Sequence, residues 1–100
     1  MDISKLTREE VNRELAMIRK EVLYESSYSY GTGYYCRDGV ICAWVPDYCG
    51  DWRWAGRLFE LRANNECFQG ILKDYLKAGM AYTEAISRSC LQIYRWEGTE

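Results

Sequence analysis

Apolar residues recur at Val11, Leu15, Ile18 and Val22, the repeat of one helix face. The spacing predicts an amphipathic core helix over about residues 8–24, with Arg8, Glu9, Arg13, Arg19 and Lys20 falling mostly elsewhere. Thr7 followed by Glu10 fits a capping box, in which each side chain satisfies a free backbone N–H of the first turn. The segment YESSYSYGTGYY at 24–35 loses the period, and Gly31 and Gly33 predict a turn there. YYC and VICAWV are β-prone runs split by Arg37-Asp38-Gly39. Asp-Gly tolerates the positive φ angles of tight primed turns, so strands are expected near 33–37 and 40–45. Pro46 ends the second strand because it has no N–H for a ladder.

Asp51 is the expected N-cap of a helix over 52–63. Trp52, Ala55, Leu58, Phe59 and Arg62 share one face of it, with the Arg62 stem laid over apolar surface. Asn64-Asn65 ends it. Residues 66–82 read two ways. Phe68, Ile71, Leu72, Tyr75 and Leu76 fit helical spacing, with Gly79 closing the helix. Gly70 would cost such a helix about 1 kcal/mol relative to Ala, and the rival is a short strand over 67–72. Thr83 with Glu84 starts a last helix over 83–95, burying Ile86, Cys90 and Ile93 or Tyr94, with Glu97 to Glu100 fraying.

One hundred residues, 48% apolar and 28% charged, fit one domain over 1–100 and argue against disorder. Thirteen basic residues face fifteen acidic ones, with six acids and five bases in residues 1–25 and nine acids and eight bases in residues 26–100. No basic stripe forms, which disfavours nucleic acid as a partner. No stretch approaches 18 apolar residues, and the first twenty are charged and periodic. The expectation is a cytoplasmic chain with no membrane span and with reduced thiols. An odd number of cysteines, five, argues against a fully paired disulfide framework.

There is no histidine, the commonest general base and a common metal ligand. Cys49 precedes the helix beginning near Asp51, whose dipole favours a thiolate, but Asp47 and Asp51 push the other way. A small semi-buried thiol is the plainer reading. Cys36, Cys42 and Cys49 form no CxxC pair, and Cys67 and Cys90 are remote. Buried free thiols are therefore expected rather than a metal site, although Cys36 and Cys42 could meet across the hairpin. Asp47 and Asp51 straddle a helix start, so loop solvation and capping account for both. No phosphate-cradling glycine motif is present. The chain is expected to be no enzyme and to use no cofactor.

The aromatic excess carries more information. Of fifteen aromatic residues, nine fall within residues 24–54, more than a small core can hide. The expected exposed set, and the expected binding residues, are Tyr28, Tyr30, Tyr34 or Tyr35, Tyr48, and one of Trp52 and Trp54. Tyr and Trp give large contact area at low entropic cost. Core packing with hydroxyl bonding along strand edges is the competing explanation, and Trp44 belongs to it.

Three stretches, LTREEVNRELA at 6–16, WVPDYCGDWRWAGRLFEL at 44–61 and EAISRSCL at 84–91, resemble the phage ABA sandwich domain family and related small proteins of enterobacterial phages and prophages. Val45-Pro46-Asp47-Tyr48-Cys49 and Ala85-Ile86-Ser87-Arg88-Ser89-Cys90-Leu91 carry the likeness. The resemblance implies an α+β fold. This is a small α/β/α sandwich with a short antiparallel sheet, the hairpin plus a third strand at 67–72, among about three helices. It also implies a phage or prophage origin and a bacterial cytoplasm, and it implies no activity. The segment between the second and third helices is shorter than is usual in that family.

The expected function is a non-enzymatic protein-interaction module that modulates a host bacterial protein, with an anti-defence inhibitor as one concrete form. The alternative is a small-ligand binder, such as a sponge for a nucleotide signal. There the aromatic rings would stack on a base and Arg37, Arg53 or Arg57 would meet phosphates. A homo-oligomer fits either reading, because open strand edges and spare aromatics invite pairing.

Overall fold

The computed structural model describes residues 2–19, 34–37 and 40–98, with side chains for 2–19 and 45–98. A 3-10 turn, Ile3–Lys5, opens it, capped by Asp2, which accepts from the Ser4 N–H at 3.0 Å. The capping box then forms: the Thr7 N–H donates to Glu10 Oε1 at 2.8 Å and the Glu10 N–H to Thr7 Oγ1 at 3.1 Å. Helix α1, Arg8–Arg19, follows and buries Val11, Asn12, Leu15 and Ala16. The expected continuation through residue 24 lies outside the described residues.

Strands β1, Tyr34–Arg37, and β2, Val40–Trp44, pair antiparallel, with Tyr34 opposite Trp44, Arg37 opposite Val40, and a register irregularity between Tyr35 and Cys36. The turn residues Asp38 and Gly39 lie outside the described residues, as does the Tyr/Ser/Gly segment up to residue 33. After the loop at 45–51, helix α2, Trp52–Arg62, starts on Asp51, whose carboxylate accepts from the Arg53 N–H at 2.9 Å. It buries Ala55 and Leu58. Arg62 lays its guanidinium 4.6 Å from the Tyr94 ring centre and ends in two bonds to the Glu97 carboxylate at 2.9 and 2.8 Å.

The segment after Asn65 is helical. Helix α3, Glu66–Lys77, is capped by the Asn65 side chain, which accepts from the Phe68 N–H at 2.9 Å. The strand expected at 67–72 is therefore corrected. The helical apolar set prevails because Phe68 and Leu72 bury against the core while Gly70 sits exposed with open space beside it. Gly70 costs the helix its roughly 1 kcal/mol, but no packing depends on it. Gly79, at φ +90°, turns the chain out of this helix. Helix α4, Tyr82–Glu97, follows and closes on Gly98 at φ +72°.

Helices α1, α2 and α3 all pack against α4. The expected α+β class, an α/β/α sandwich with a sheet between helices, is thereby overturned: helix packs directly on helix around α4. Among the described residues β1 and β2 form no layer under the helices. Two short strands do not make a face that could carry a core, whereas α4 offers one on nearly every side. Residues Ala85 to Leu91 are buried without a break, far beyond the single stripe that spacing predicted. Among the described residues no helix is long and apolar enough to cross a membrane.

Candidate functional site

The loop Val45–Asp51 is tied down from two helices. Ser87 Oγ donates to the Tyr48 carbonyl at 2.7 Å. Thr83 Oγ1 and Arg8 Nη2 both donate to the Cys49 carbonyl, at 2.7 and 2.8 Å. Asn12 works in both directions: its Oδ1 accepts from the Cys49 N–H at 2.9 Å and its Nδ2 donates to Asp47 Oδ1 at 2.8 Å. Asp47 Oδ1 also accepts from the Gly50 N–H at 3.1 Å. Below these contacts, Glu84 bridges Arg8 Nε at 3.5 Å and Arg88 Nε at 2.9 Å, and Arg88 Nη1 donates to the Ile3 carbonyl at 2.6 Å. A loop can be buried only when its backbone polar groups are matched in this way.

That anchoring corrects one expected site residue. Tyr48 is not exposed but fully buried, its ring edge-to-face with Trp54 at 6.0 Å. The reason is long-range: the carbonyls on and after Tyr48 are captured by α4 and α1, which draws the ring inward. Asp47 and Asp51 likewise have separate structural duties, one bracing the loop and one capping α2. Hydrogen bonds from Arg53, side chain first and then backbone, hold the Asp51 carboxyl below the usual range.

Cys49 is buried beside the start of α2. Burial pushes its thiol up to about 12, outweighing the opposing influence of Arg88. Burial also pushes Cys90 up to about 11. Cys67, by contrast, is exposed, and all three are free thiols. The side chains of Cys36 and Cys42 lie outside the described residues.

Of Trp52 and Trp54, the two tryptophans expected at the site, Trp52 is the exposed one, at 55%. It is the first residue of α2, and its ring lies over Gly56, 3.5 Å from where a Cβ would stand. Its ring centre is 5.9 Å from that of Tyr82, the first residue of α4 and 47% exposed. Tyr82 continues to Phe59 at 6.5 Å, and Phe59 to the buried Phe68 at 6.2 Å. Two accessible rings thus stand on a staircase of rings that descends into the core. Trp54 is half-buried, between Tyr48 and the Arg57 guanidinium 5.0 Å from its ring centre.

Tyr28 and Tyr30 lie outside the described residues. Tyr34 and Tyr35 are placed in β1 by backbone alone, opposite Trp44 and Ala43. Of the arginines expected to meet phosphates, Arg53 is bound to Asp51 and Arg57 lies over Trp54, while the Arg37 side chain lies outside the described residues. Tyr82 was missed because the last helix was expected to begin at Thr83. The signal that could have found it is a tyrosine just ahead of the polar helix start Thr83-Glu84. Compared with models of known protein families, with curated proteins and with solved structures, the chain matches none.

Proposed function

We propose that the protein is a non-enzymatic interaction module, a small phage accessory protein that binds and modulates a host protein in the bacterial cytoplasm, with Trp52 and Tyr82 as its contact face. The observation that carries this reading is the pair of accessible rings fixed at the starts of two packed helices. Aromatic anchors held by a rigid scaffold lose little entropy on binding and dominate contact energies. The host setting comes from the sequence resemblance alone, and the commitments of Arg53 and Arg57 favour a protein partner over a phosphate-bearing ligand.

The test is native mass spectrometry of tagged protein purified from a bacterial host, beside the variant Trp52→Ala with Tyr82→Ala. A host protein should accompany the wild type and be lost from the variant while the variant still melts cooperatively. A partner retained equally by both would remove the contact face from these rings. A bound mass of a few hundred daltons in place of a protein would replace this reading with the small-ligand one.

A further inference from the structure

We draw no further inference here: the strongest candidate, the apolar depression of about 210 Å³ beside α1 lined by Arg13, Glu14, Met17, Ile18 and Leu91, carries nothing because no described residue shows what covers it.

Discussion

Two surfaces of opposite character meet at the starts of α2 and α4. On one side lie Asp51 and Thr83, whose side chains are spent on a backbone N–H and on the Cys49 carbonyl. One residue away on each helix stand Trp52 and Tyr82, rings that touch one another and then open to solvent. The first side is closed by matched hydrogen bonds. The second is held from beneath and has contact area to spare. A single residue step along each helix therefore separates a stability element from a candidate recognition element, and substitutions should separate them too.

The largest effect is expected below the closed side. Arg88→Ala would leave Glu84 with Arg8 alone and the Ile3 carbonyl with only the Leu6 N–H at 3.2 Å. Breaking a buried pair this way costs about 3–5 kcal/mol, and a chain this size loses roughly 4–8 °C per kcal/mol. Chemical denaturation should show a large fall in midpoint, and an unchanged midpoint would mean Arg88 is not integral to the core. Ser87→Ala comes next. It removes the Ser87 donor from the Tyr48 carbonyl at a cost of about 1–3 kcal/mol, read in the same assay.

Neighbouring substitutions then sharpen the contrast. Asp51→Ala removes a cap worth about 1 kcal/mol and should lower the melting temperature while leaving partner capture intact. Trp52→Ala with Tyr82→Ala should do the reverse, with affinity falling about a hundredfold or more if both rings are anchors. Equal effects of the two variants on both readouts would erase the distinction between the surfaces.

The smallest effects are those of pH. The Asp51 and Glu97 carboxyls are both depressed in the folded chain, each first by its arginine side-chain partner. A depressed carboxyl contributes stability above its unfolded pKa and loses it as the pH falls. Melting temperature should therefore decline modestly below about pH 4, and less so in Glu97→Gln. The buried thiols act at the other end. Cys49 and Cys90 are raised from 9.0 to about 12 and about 11, so their contribution is complete below pH 9 and is lost as the pH rises beyond it. At pH 8 a thiol reagent should modify Cys67 rapidly in native protein and leave Cys49 and Cys90 protected until unfolding. Fast modification of Cys49 would contradict its burial.

The starts of α1 and α2 were legible in the sequence because their caps are local: Thr7 with Glu10, and Asp51 ahead of an apolar face. Helix α3 was ambiguous because one exposed glycine weighs against a helix in propensity but touches nothing in the fold. Helix α4 was underestimated because the spacing assigns burial only to Ile86, Cys90 and Ile93 or Tyr94, and Ser87, Arg88 and Ser89 lie off that stripe. Each is buried with a partner instead: the Tyr48 carbonyl for Ser87, Glu84 and the Ile3 carbonyl for Arg88, the Ala85 carbonyl for Ser89. Two of those partners, the Tyr48 and Ile3 carbonyls, lie far away in the chain, so no local window could supply them. The same holds for Tyr48, whose aromatic character suggested a surface while its neighbours' hydrogen bonds decided for the core. Trp52 was legible as one of two candidates, but only packing against Gly56 and Tyr82 distinguishes it from Trp54.

The central position of α4 also orders events in time. A chain made from its N-terminus produces α1, α2 and α3 before the helix on which all of them pack. Until α4 emerges, Leu15, Leu58 and Phe68 have no common surface to cover them, and the Ile3 carbonyl waits for an arginine 85 residues downstream. Assembly is then a late, concerted event rather than a growing core, and a nascent chain halted before α4 would present its apolar faces to chaperones and proteases instead of to itself.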